Sequence, residues 1–77
     1  MVKLERHVQH VRTRLGHNIR KAREARKMER TDLAGAAGVS EGTMAEIENG
    51  DHNIPFNTLV RIAWKLRVHL SELFKEN

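Results

Sequence analysis

The chain has 77 residues, no Cys and no Tyr, a formal charge of +4, and 31% charged against 39% apolar residues. That length holds one small domain and no second core. The lack of Cys rules out a disulfide scaffold and any Cys-bearing zinc or iron–sulfur site, and no apolar run approaches the roughly 20 residues of a membrane span.

Folding at this size buries only roughly 60% of the unfolded chain's surface, so stability must come from close helix packing or from a partner subunit. The charge is unevenly spread: residues 1–30 hold ten Lys/Arg and three Glu, whereas residues 31–77 are net negative. A basic half fits an anionic partner such as nucleic acid, and equally a solvated helix face. The opening MVKLERHVQH is charged from the start and has no apolar h-region, so no secretory signal is expected and the protein is placed in the cytosol. Residues 1–27 lack the Trp or Phe that anchors an amphipathic helix in a bilayer, so no membrane partner is expected.

In chain order, Leu4, Val8, Val11, Leu15, Ile19 and Ala22 fall within an arc of roughly 80° if residues 4–26 form one helix. The stripe keeps its phase across Gly16, so residues 1–14 read as an extension of the first helix. An interior Gly costs about 1 kcal/mol, and a break at Gly16 stays open. ERTDLAGAA then supports a short helix that turns Leu33, Ala34 and Ala37 inward and stops at Gly38, the expected left-handed residue. Ser40 is a good N-cap for EGTMAEIEN, which places Met44 and Ile47 on one side, and Gly50 ends that helix. DHNIP, with the only Pro, reads as a loop. Phe56, Leu59, Val60, Ile62, Ala63 and Leu66 give a fourth helix with a wide apolar face; Val68, Leu70, Leu73 and Phe74 give a fifth, short one, and residues 75–77 a frayed end. No repeat or alternating strand pattern appears, so the expected fold is all-α with five helices.

Two short helices joined through a tight Gly turn, with Ala at the crossing and a Ser-capped second helix, are what a helix-turn-helix requires. The stretch LAGAAGVSEGTMAEIENG (residues 33–50) resembles the phage-repressor and Cro type, or Xre, helix-turn-helix family. LGHNIRKAREARKM resembles that family's first helix, and NTLVRIAWKLRVHLSELF its fourth and fifth, so the resemblance covers residues 15–74. ENGDHNIPF followed by RIA is also similar to the small controller proteins of restriction-modification systems.

The resemblance implies that the helix starting at Ser40 enters the major groove of double-stranded DNA. Glu41, Gly42 and Glu46 would then face base edges, with Ser40, Thr43 and Asn49 near phosphates. Here the chain departs from the family pattern, which commonly has Gln, Arg or Ser at the first two positions. Residues 40–51 hold four acids and no Lys or Arg. A carboxylate can accept from cytosine N4, but it repels phosphate, so base reading and a surface turned to a protein partner both stay open.

Arg30 stands where the family usually has Gln at the start of the second helix, a position from which a guanidinium would grip a backbone phosphate. Asn49, His52 and Asn53 can donate to the same strand. Arg23 and Glu48 match a family pair, which implies a partly buried ion pair fixing the angle between helices. Glu29 replaces the usual cap of the second helix and Lys27 the Gly that often ends the first, each costing about 1 kcal/mol; Thr31 as a substitute cap would start the second helix two residues late.

Trp64, with Leu70 and Phe74, suggests a two-fold homodimer patch for paired half-sites about one turn apart; the other reading makes Trp64 a core residue covering the N-terminal extension. His7, His10 and His17 share a side of the first helix, but His10 and His17 are two turns, about 10 Å, apart and no carboxylate completes a shell, so no metal is expected. His69 and Glu72 are spaced like an acid–base pair, yet no nucleophile or cofactor motif accompanies them. The expected function is a sequence-specific transcription regulator without catalytic residues or cofactor, occupying an operator as a homodimer to repress or recruit polymerase. The alternative is a protein-interaction module of the same fold.

Overall fold

A computed structural model describes residues 2–76; Met1 and Asn77 lie outside the described residues. Four α-helices follow one another, α1 (Val2–Ala25), α2 (Arg30–Ala37), α3 (Glu41–Asn49) and α4 (Phe56–Leu66), and a single 3-10 turn (Leu70–Phe74) closes the chain. The regular elements among the described residues are thus all helical, but the fifth helix is corrected to a 3-10 turn. Arg67 ends α4 in the left-handed region at φ 60°. The 3-10 turn is only five residues long and buries Leu73 alone.

α1 runs unbroken through Gly16, and at 1.5 Å per residue its 24 residues account for most of the molecule's 37 Å long axis. Gly16 is needed for packing. A Cβ there would stand 2.7 Å from the carbonyl oxygen of Glu48 and closer still to that of Ile47, so only a hydrogen lets α1 lie against the end of α3. One turn earlier the same crossing recurs at Gly50, whose φ of +80° and 2.9 Å clearance from the Thr13 backbone exclude a side chain.

The apolar periodicities converge on one core, in which Ile19, Leu33, Met44, Ile47, Ile62, Leu66 and Leu73 are fully buried. Ala34 and Ala37 keep the crossing of α2 close. Gly38 at φ 77° makes the turn to α3, and Ser40 caps α3 by accepting from the Thr43 amide at 3.0 Å. α2 starts at Arg30 with Glu29 as an N-cap whose side chain makes no cap bond, so Thr31 is not the cap. The Glu29 carbonyl takes the amides of Asp32 and Leu33 in its place. Lys27 occupies the left-handed region at φ 53°, where Gly would carry no strain.

Polar groups fasten the ends. Asn18, buried beside Ile19, donates from Nδ2 to the carbonyls of Leu73 and Lys75 at 2.9 Å each. Glu76 stands 3.6 Å from His10 Nε2 and 3.9 Å from Arg14 Nε. Lys75 and Glu76, expected to fray, are therefore tied to α1. Gln9 donates to the Gly50 carbonyl at 3.0 Å, which fixes the N-terminal half of α1 onto the end of α3.

Candidate nucleic-acid interface

The centre of the candidate site is a carboxylate shared by two arginines. Glu48 lies on the inner face of α3 with its side chain 1% exposed. Arg23, from the last turn of α1, donates from Nε to Glu48 Oε2 at 2.7 Å and from Nη2 to Oε1 at 3.2 Å; its Nη1 reaches the Met28 carbonyl. The structure therefore joins α1, α3 and the α1–α2 link through one guanidinium. The hydrogen bond to Glu48 raises the Arg23 pKa further, outweighing its burial, so the cation persists wherever the protein is folded.

Arg30, which the resemblance sets on a phosphate, donates from Nε to Glu48 Oε1 at 3.1 Å. Its side chain remains one-third exposed at the start of α2. One carboxylate thus holds a buried cation and a half-buried one, so the three groups together carry a single positive charge beside the N-terminus of α2, where Glu29 and Asp32 add two negative ones. This three-member cluster was not anticipated. The signal for it was the pair of arginines on either side of the α1–α2 link, seven positions apart.

α3 presents Glu41, Gly42, Glu46 and Asn49 to solvent, while Met44, Ile47 and Glu48 are buried. The exposed residues are the ones expected to meet base edges and phosphate. Ser40 and Thr43 satisfy one another as well: the Ser40 hydroxyl donates to Thr43 Oγ1 at 3.0 Å, so both are engaged within the turn. A Cβ on Gly42 would meet nothing nearer than Ser40 Oγ at 3.9 Å, so this position has room for a side chain. Past α3, His52 Nδ1 stands 3.3 Å from Glu46 Oε1, making an ion pair when the imidazole is protonated, and Asn53 is exposed. The expected DNA-facing residues occupy α3, its flanking turns and the start of α2.

The three residues expected at a dimer patch are not drawn into one cluster. Trp64 is 79% exposed, so it is not core, and it borders a hollow with Arg67 and Val68. Phe74 lies in a different groove with Val8 and Val11 of α1, and Leu70 packs on the core. Trp64 instead continues an exposed apolar row on α4 with Phe56 and Val60, spaced i, i+4, i+8. That row was hidden in the sequence because its residues adjoin the buried face of the same helix.

Among known proteins, the family model described as a helix-turn-helix domain matches residues 14–73. No curated protein is similar enough in sequence to be matched. Of solved structures, the restriction-modification controller protein C.AhdI from Aeromonas hydrophila is similar with a TM-score of 0.76 at 24% identity, over 80% of this chain and 94% of that one. The clp gene regulator ClgR from Corynebacterium glutamicum has a TM-score of 0.79 at 25% identity, over 82% of this chain and 67% of its own. An HTH_3 family transcriptional regulator from Vibrio cholerae has a TM-score of 0.78 at 24% identity; the match covers 87% of this chain but 38% of that protein. The Gly38 turn, the Ser40 cap and the buried Glu48 fall inside the matched span, and the chain belongs to the helix-turn-helix domain family, in its Xre-type form.

Proposed function

We propose that the protein is a sequence-specific DNA-binding transcription regulator that occupies an operator as a homodimer in the cytoplasm, with no catalytic role. The observation that carries this is the fixed angle between α2 and α3. The Gly38 turn and the Glu48 cluster present the exposed residues of α3 and the N-terminus of α2 on one rigid pair, as docking in a major groove requires. Arg30 would ground the pair on a phosphate through the part of its guanidinium that Glu48 leaves exposed, while the dipole of α2 adds to the attraction. Glu41 and Glu46 are suited to accept from cytosine N4, and Asn49, His52 and Asn53 to donate to the backbone. The row Phe56, Val60 and Trp64 is suited to a two-fold contact, since exposed aromatics of this kind are enriched in interfaces. The regulators among the structural neighbours support the same reading.

One observation favours a second reading: the exposed face of α3 is acidic and holds no Lys or Arg, which suits a basic protein surface better than a phosphate-lined groove. Selection of duplexes from a randomised DNA pool at near-physiological salt separates the two. An enriched inverted repeat, with half-sites about 34 Å apart or a multiple of it, is the result expected of the dimeric regulator. A pool that stays random after repeated selection would refute base reading and favour the interaction module.

A further inference from the structure

Outside the helix-turn-helix, α1, the α3–α4 loop and the 3-10 turn enclose a groove of about 360 Å³. Its floor is apolar, formed by Val8, Val11, Ile54, Leu59 and Phe74, with Val8 and Phe74 still 43% and 44% exposed. Its polar rim is His7, Arg12, His52 and Asn53, and among the described residues no acidic one lines it. Arg12 is half-buried there and has no hydrogen bond or ion pair among the described residues. His52 faces Glu46, so Arg12 is the rim's permanent charge without a counterion. An arginine without a counterion at the edge of an apolar floor suits an anion that brings its own apolar surface.

We propose that this groove binds a small amphipathic carboxylate, with the aliphatic body along Val8, Val11 and Phe74 and the carboxylate on Arg12. The volume lies in the range of about 300–1,000 Å³ that small-molecule sites occupy. A second copy of the chain fits poorly, because two such grooves face to face would bring together two basic rims with no acidic lining residue among those described to meet Arg12. A protein partner would need roughly 20–30 residues on each side, more than the groove and its rim supply.

Titrating the full-length protein with octanoate, decanoate and 1-octanol, read by amide chemical shifts, tests this directly. Saturable shifts confined to Val8, Arg12, Ile54 and Phe74 are expected, with decanoate binding about tenfold tighter than octanoate from two more buried methylenes. Arg12→Gln should weaken octanoate at least tenfold and leave 1-octanol unchanged. Val8→Ser should weaken all three, and thermal melts of both variants establish that the fold is intact. Shifts that do not saturate, or that spread equally to Phe56 and Trp64, would overturn the proposal. So would equal binding of octanol and octanoate, or an Arg12→Gln variant that loses affinity for duplex DNA but not for octanoate.

Discussion

Replacing Gly16 with Ala tests the close crossing of α1 and α3. On propensity alone the change should help, since Ala gains about 1 kcal/mol over Gly inside a helix. The added Cβ, however, would meet backbone: the Glu48 carbonyl oxygen at 2.7 Å, its carbon at 2.9 Å, and the Ile47 oxygen nearer still. Helix backbone cannot swing aside as the end of a flexible side chain can, so α1 and α3 must part by roughly 0.7 Å or more to recover van der Waals distance. That displacement would also stretch the 2.7 Å bond from Arg23 to Glu48, two turns further along α1. Overpacking costs about 1–3 kcal/mol, and the strained ion pair takes the sum to its upper end. After the helix gain, a net loss of about 2 kcal/mol is expected, or roughly 8–16 °C in Tm for a domain of this size. Gly35 is the control, because a Cβ there meets nothing within 4 Å, so Gly35→Ala should stabilise by about 0.5–1 kcal/mol. Urea unfolding followed by circular dichroism reads both as shifts in midpoint at constant slope. If Gly16→Ala were as stable as the parent, or moved the same way as Gly35→Ala, the close approach at Gly16 would be refuted.

Glu48→Ala should destabilise by about 3 kcal/mol in the same assay, because it strands the buried Arg23, whereas the double change Arg23→Met, Glu48→Leu should lose far less. Arg30→Ala should cost under about 1 kcal/mol of stability, its side chain being one-third exposed. If Arg30 grounds the protein on a phosphate, the same change should lower the slope of log K against log salt by about 0.9 for all duplexes, measured by fluorescence anisotropy. Trp64→Ser should leave the melting temperature of the monomer nearly unchanged but raise the dimer dissociation constant at least tenfold in sedimentation equilibrium; an unchanged constant would place the contact elsewhere. Gly42→Gln should fold normally, since a Cβ there reaches only Ser40 Oγ at 3.9 Å, and change which base is selected opposite that position.

The helices, their caps and most of the core were legible in the sequence because each is set locally. The 3.6-residue spacing of Leu15, Ile19 and Ala22, the Ser40 cap and the Gly at 38 and 50 depend on neighbours within a turn or two. Arg23 and Glu48 were legible for another reason, their place in a family motif. The sequence was silent where a side chain chooses among distant partners. Nothing local distinguishes an Arg30 aimed at a phosphate from one that shares Glu48, eighteen positions away. Asn18 did carry a sign, a polar residue between buried Leu15 and Ile19, but which carbonyls it serves depends on the path of residues 73–75. The fifth helix failed on length: Val68 to Phe74 has the apolar spacing, but five hydrogen-bonded residues favour the tighter 3-10 form over a full α-helix.

These features join in one physical sequence. Glycines at 16 and 50 let α1 touch the end of α3, and at that separation Arg23 meets Glu48 beneath the exposed face. Glu48 in turn draws Arg30 inward, so the charge at the start of α2 is positioned by the same contact that fixes the angle of α3. A cation held this way loses less conformational entropy when an anion arrives than a free surface arginine would. The acidic face of α3 then acts in the opposite sense, weakening attraction to any duplex while leaving the anchors in place. If Glu41 and Glu46 read bases as proposed, low non-specific affinity with fixed anchoring would shift discrimination onto them, and a single mismatched pair opposite either residue should cost about 1–3 kcal/mol.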